Sequence, residues 1–498
     1  MIYIHVPFCR SFCTYCDFYS ELSPQCRNAV GSAREEESYA AYAEAVVSEI
    51  ESRKDEISES ALFADTLYIG GGTPSVLPLS VFEKILSALS DSLSQKSTSF
   101  AEGSLSHRCD TPASLIAGSP FGSWPCHPVS NHRYSEFTVE VNPEDIVEKG
   151  IGYASGLRTL GATRISMGIQ SFDDGILHWM NRRHNSEGAL KAFDILRAAG
   201  FDNISIDLIF GLSQLSDPIW ADTLDKALSL HPEHISAYQL SIEKGSALSK
   251  LIARGRYTEA SDDSCSRQYD ILCQRLSASG YRHYEISNFA IPGYEARHNS
   301  AYWRRIPYIG LGPGAHSLRF TRPFPSVKPL DPDPSFLSVK PLDQRQPIGP
   351  FGSELPQPDK RSWNPPDLTA YLNRTSIPES EQLSETEIVE EQIMLALRTD
   401  TGISETFLRS HCDNSLIDRL LDEALLVPIT PIASVSPAVT PIPTASGVST
   451  IQAVPFTTVT SKAPTCRNTP DTSSDSPFLR IPESRFFVSD DIISDLLV

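Results

Sequence analysis

Over residues 1–240, short runs rich in β-branched side chains alternate with longer amphipathic stretches. The runs fall at 2–6, 66–69, 137–141, 164–168, 204–210 and 234–240. Helical apolar spacing occupies 39–53, 80–92, 145–160, 187–199 and 218–230. Repetition of this kind requires parallel pairing, because parallel neighbours are joined by crossover helices and not by tight turns. The pattern predicts an α/β fold with residues 1–240 forming most of a barrel. In such a barrel, reactive groups gather at the C-terminal ends of the strands.

Three stretches break the pattern. Residues 95–135 are rich in Ser, Gly, Pro and His, and residues 321–365 carry many prolines with the near-repeat SVKPLDPDPSF and SVKPLDQRQP. Residues 428–480 are mostly Pro, Thr, Ser, Val and Ala. Such compositions bury too little apolar surface to offset the cost of ordering the chain, so all three read as surface insertions. Between them, 241–320 reads as an extension of the barrel. Residues 366–498 read as a small, mainly helical C-terminal domain, opened by SETEIVEEQIMLALR with its capping signature.

The formal charge of −20 argues against a nucleic-acid partner, which would need clustered Lys and Arg. No run of 18 apolar residues appears, so no spanning helix is expected. The start, MIYIHVPFCRSFC, lacks the pattern of a secretory signal, and a cytoplasmic location is expected. Ten cysteines are too few for a disulfide scaffold, and three of them crowd into C-R-S-F-C-T-Y-C, at Cys9, Cys13 and Cys16.

Thiolates are soft ligands suited to iron–sulfur clusters. Three on one loop after a strand would hold three irons of a [4Fe–4S] cluster and leave the fourth open. A structural zinc site would want a second Cys pair or a His at ligand spacing, and neither follows. One unit later, the second strand runs into Gly70-Gly71-Gly72-Thr73-Pro74-Ser75. Glycines there let the backbone approach a ligand. Glu140 in VEVNP, Gln170 in SMGIQSF, Arg182 in the helix beyond, and Asp207 within the apolar ISIDLIF follow in order along the next strands. A carboxylate inside an apolar strand is costly unless something pairs with it.

CxxxCxxC after a first strand, followed by the GGTP loop and these polar positions, resembles the radical S-adenosylmethionine (SAM) superfamily, and within it the oxygen-independent coproporphyrinogen III oxidase-like group. The resemblance covers 1–320 and the C-terminal module. It implies a partial (βα)6 TIM-like barrel and two cofactors, a [4Fe–4S] cluster and SAM. It also implies reductive cleavage of SAM to methionine and a 5′-deoxyadenosyl radical. On it, Tyr3, Tyr15, Gly71, Gly72, Thr73, Glu140, Gln170, Arg182 and Asp207 contact SAM.

Two departures choose between branches of the group. The coproporphyrinogen dehydrogenase branch carries a fourth Cys two residues after the third, where this chain has Phe18, and a long segment before its cysteines, where this chain has eight residues. Both point to the HemW-type branch of haem chaperones. Haem, an apo-haemoprotein acceptor and an electron donor are then the implied partners. The alternative is a coproporphyrinogen III dehydrogenase acting by radical decarboxylation. His298-Asn299-x-x-Tyr302-Trp303 resembles the branch's haem-associated HNxxYW motif, which makes His298 and Tyr302 the expected haem contacts, with His316 a further candidate. Pro313 stands where the pattern often has a small residue or Cys, which removes one possible thiol.

Overall fold

The computed structural model describes residues 1–23, 32–94, 134–243, 246–321, 357–429 and 477–497. The stretches 95–133, 322–356 and 430–476, the greater part of the three expected insertions, lie outside the described residues.

Six parallel strands form in chain order: β1 (Ile2–Val6), β2 (Thr66–Gly71), β3 (Glu136–Val141), β4 (Arg164–Gln170), β5 (Ile204–Phe210) and β6 (His234–Gln239). The helices Ser32–Ser52, Leu79–Ser94, Pro143–Thr159, Ser186–Ala198 and Asp217–Ser229 are the main crossovers between them. Residues such as Val139, Ile165, Ile206 and Ile235 are fully buried where the helices cover the sheet, as a parallel sheet requires. Helix starts follow local chemistry. Pro143 sits in the first turn of its helix, and the Asn185 side chain accepts from the Gly188 N–H.

The sheet is wider than the six expected strands. Three short ones complete it: β7 (Arg282–Glu285), β8 (Asn288–Ala290) and β9 (Ile309–Leu311). The order is β9-β1-β2-β3-β4-β5-β6-β8-β7, with β9 parallel to β1 and β8 antiparallel to β6. The register places Thr138 beside Arg164, Gly168 beside Asp207, and Asp207 beside Ser236.

The helix Arg297–Trp303 closes the barrel at the N-terminal ends of the strands. Glu136, the first residue of β3, accepts from the backbone N–H groups of Arg297 and His298, both at 2.9 Å. The HNxxYW motif is therefore the floor of the barrel.

Beyond the barrel the chain is a mix of helices and small sheets, with the capping box Ser384–Glu387 opening the helix Glu385–Leu397. Two edges of the expected insertions are corrected. Lys360–Trp363 is the middle strand between His316–Arg319 and Glu379–Gln382, and Val427–Ile429 pairs with Phe478–Arg480. Among the described residues, no helix is long and apolar enough to cross a membrane.

Candidate functional site

The cysteine loop leaves β1 through the two-residue strand Phe8–Cys9, which pairs with Glu21–Leu22. This short ladder pins both ends of the loop. Its middle is pinned to the far side of the cleft: the Thr14 N–H donates to the Met180 carbonyl at 3.1 Å, and Asn181 Nδ2 donates to the Phe12 carbonyl at 2.7 Å. Cys9, Cys13 and Cys16 are free thiols on one cleft of about 1080 Å³. Burial pushes the Cys9 thiol up and the Cys16 thiol to about 12, which favours their neutral forms.

The donor set fits a multi-iron cluster. Among the described residues, no three of His, Cys, Asp and Glu converge as a single metal ion would need. A four-iron cluster takes one thiolate per iron and wants its sulfurs spread round it. The Gly71-Gly72-Thr73 loop lies against the cysteines. A Cβ at Gly72 would stand 2.8 Å from the Phe8 carbonyl oxygen, 2.9 Å from that of Val6 and 3.1 Å from Cys9 Sγ. Only glycine allows this approach. Thr73 Oγ1 lies 3.4 Å from Cys9 Sγ, tying the two loops together.

Polar groups from the next strands line the same cleft. Glu140 accepts from the Tyr68 hydroxyl at 2.6 Å and from the Gly71 N–H at 3.0 Å. Burial raises its carboxyl to about 7, against the lowering effect of these bonds. Asp207 is raised to about 6, again first by burial, and accepts from Ser166 Oγ at 3.2 Å. Gln170 ends β4 with φ of 71°, a left-handed conformation that costs a non-glycine residue ~1 kcal/mol. Its Nε2 fills the space where a Cβ on Gly168 would stand, 2.8 Å away.

Arg182 is on the cleft but not in a helix. The helix Asp174–Trp179 ends before it, and Arg182 occupies the loop that follows. The loop lets its guanidinium donate to Asn142 Oδ1 at 2.7 Å, to the Gly168 carbonyl at 2.8 Å, and toward Cys13 Sγ at 3.4 Å. Asn142 was missed by sequence reasoning, although it stands two residues after Glu140. Its Nδ2 donates to Thr73 Oγ1 at 3.2 Å, so it joins the glycine loop to Arg182.

The remaining expected residues divide. Tyr15 lines the cleft. Tyr3 does not; its hydroxyl meets His5 Nδ1 at 3.1 Å and its ring packs 6.0 Å from Tyr68, behind the wall. His298 and Tyr302 do not line the cleft. His298 is 1% exposed, with Nδ1 2.9 Å from Thr66 Oγ1 and Nε2 3.2 Å from the Tyr302 hydroxyl. Both ring nitrogens have partners inside the protein. Burial pushes this imidazole well below its ordinary value, so it is neutral. His316 is exposed, and its ring stacks on Trp363 at 5.8 Å.

The radical SAM superfamily model matches residues 3–227. Haem chaperone HemW of Lactococcus lactis is 30% identical over 347 residues, covering 69% of this chain and 75% of its own. The HemW of Synechocystis is 32% identical over 325 residues, covering 64% of this chain and 67% of its own. The chain belongs to the HemW-type radical SAM family. Among solved structures, the HemN coproporphyrinogen III oxidase of Escherichia coli, titled a radical SAM enzyme, matches at a TM-score of 0.60 and 15% identity, covering 99% of this chain and 89% of that one. At that identity the likeness concerns the fold alone, and it takes in the helical C-terminal region.

Proposed function

We propose that this HemW-type protein holds a [4Fe–4S] cluster on Cys9, Cys13 and Cys16, binds SAM across the strand ends, and carries haem for delivery to an apo-haemoprotein. The reading rests on one observation: three free thiols share a cleft with a glycine loop packed against them and with Arg182. The cluster and SAM together supply one-electron reductive chemistry. The chain's own residues position. Gly71, Gly72 and Thr73 offer backbone close to the open iron, and Arg182 places a fixed positive charge beside Cys13. Glu140, Gln170 and Asp207 present acceptors and a donor to the polar edges of SAM, with Tyr15 as an aromatic wall and Tyr3 supporting Tyr68 from behind. An electron donor partner reaches the cluster loop from the outside, where Phe12 and Phe18 are 50% and 68% exposed. Free thiols suit a reducing compartment, the cytoplasm.

Of the haem candidates His298, Tyr302 and His316, the one exposed to solvent is His316. It has no hydrogen bond among the described residues, and imidazole ligates haem iron. Its segment packs on the cysteine loop, since a Cβ at Gly314 would touch the Tyr19 ring at 3.4 Å.

The test is a paired assay on anaerobically reconstituted full-length protein. Haem titration gives a stable absorbance change, and coproporphyrinogen III is returned unchanged. Formation of protoporphyrinogen IX would overturn the chaperone reading in favour of the dehydrogenase.

A further inference from the structure

The barrel interior contains a charge that the site above does not use. Arg164 opens β4 at its N-terminal end, is 2% exposed, and lines the cleft. Its Nε is buried without a partner, and no hydrogen bond or ion pair joins its guanidinium to any of the described residues. Asp207 and Glu140 feel its charge through space, but their hydrogen bonds go elsewhere, Asp207 to Ser166, and Glu140 to Tyr68 and the Gly71 N–H. A second orphan stands beside it. Thr138, its register neighbour on β3, is fully buried and its Oγ1 has no partner. Asn299, from the floor helix, lines the same cleft.

A buried guanidinium without an acceptor is costly, and a carboxylate is the group that meets its fork with two parallel hydrogen bonds. There is room for one. The cleft, at about 1080 Å³, exceeds the ~300–1,000 Å³ of ordinary single-ligand pockets. Arg164 and Gln170 are six residues apart on one strand, ~20 Å at the usual rise, so the two ends of the cleft are far enough apart to serve different ligands.

We propose that Arg164 and Asn299, with Thr138 packed beside the arginine, form an anion subsite at the floor of the barrel, which takes the carboxylate of a second ligand lying deeper than SAM. The phrase "deeper than SAM" rests on the function proposed above; the anion subsite does not. The carboxylate has two sources to distinguish, a propionate of a haem held in the cleft instead of on His316, or a free organic acid.

The test uses the full-length protein and four probes: succinate, its neutral analogue succinamide, haem and haem dimethyl ester. For the free-acid source, calorimetry shows succinate binding roughly tenfold or more tighter than succinamide, and Arg164→Gln abolishes that preference while Arg164→Lys keeps part of it. For the propionate source, haem binds more tightly than its dimethyl ester, and Arg164→Gln removes the difference. Should Arg164→Gln fail to fold, Asn299→Asp places a competing carboxylate in the subsite and lowers affinity for whichever acid binds. If neither succinate nor haem is favoured over its uncharged analogue, or if the preference survives Arg164→Gln, the proposal fails. Failure of the SAM reading would appear separately, as reconstituted wild-type protein that does not bind SAM while its carboxylate titration is unchanged.

Discussion

The two ends of the barrel use similar residue types for opposite purposes. At the mouth, side chains keep spare valence. Three thiols are free, Arg182 holds Cys13 but leaves its Nε unpaired, and Gly72 exposes backbone where any side chain would collide. At the floor, Arg164 and Thr138 aside, valences are closed in pairs. His298 spends both ring nitrogens on Thr66 and Tyr302, His234 spends its own on Ser205 and Tyr284, and Glu136 spends both carboxylate oxygens on the helix it caps. A histidine beside a tyrosine looks like a ligand pair in either place. Which lone pairs are left over decides between site and plug.

The largest effect should come from the mouth. Cys13→Ser is expected to remove the brown chromophore of the reconstituted protein, because the remaining two thiols cannot hold a four-iron cluster. Iron and sulfide analysis checks it, and a full four-iron complement in the variant would mean the ligands are misassigned. The matching change at the floor, His298→Ala, should leave iron content intact and cost ~3 kcal/mol of stability, from the cavity and the stranded Thr66 and Tyr302 hydroxyls. Calorimetry should then show Tm lower by ~3 °C. Haem titration of the same variant sharpens the contrast. His298→Ala retains haem binding and His316→Ala weakens it. The reverse result, with Tm unchanged in His298→Ala, would turn the floor into a site and end the distinction.

Gly72→Ala is a smaller intervention. The added carbon meets two backbone carbonyls, which cannot swing aside as a side-chain tip would. We expect ~1–3 kcal/mol of strain, read as a lower iron-to-protein ratio after reconstitution with the chain still folded. An unchanged ratio would show that the cysteine loop is free to move away from the glycine loop.

The mouth was legible in the sequence because its signals are local. Five- to seven-residue strands announce themselves by β-branched runs, and the three cysteines lie within one loop. What the sequence hid depends on distant contacts. β8 and β9 are three residues each, too short for periodicity, and exist because an edge of the sheet was available. Arg182 was expected on a helix, but the helix stops at Trp179 and Asn181 takes φ of 59°, which turns the chain back over the cleft. Asn142 and Arg164 are ordinary residue types whose importance lies in what faces them. For His298 the motif supplied the residue type, and only the fold could show that both nitrogens were already in use.

The subtlest expected effect joins the two ends through Glu140. Its carboxyl is raised from 4.5 to about 7, with burial the main cause. The folded state therefore binds the proton more tightly than the unfolded chain. Stability from this group is full below about 4.5 and is lost as pH rises to about 7, because above that the folded protein must bury a charge that the unfolded chain exposes to water. Glu140→Gln keeps the neutral form at every pH. Relative to wild type, the variant should gain roughly 3 °C in Tm at pH 8 and gain nothing at pH 4.5, where the wild-type carboxyl is already protonated. Thermal unfolding of both proteins across this range checks the sign. A gain that is the same at pH 4.5 and pH 8 would show that Glu140 is not the buried acid the geometry makes it. SAM affinity should fall in the same variant, since a carboxylate at the mouth is kept at a cost in stability that the closed pairs of the floor do not carry.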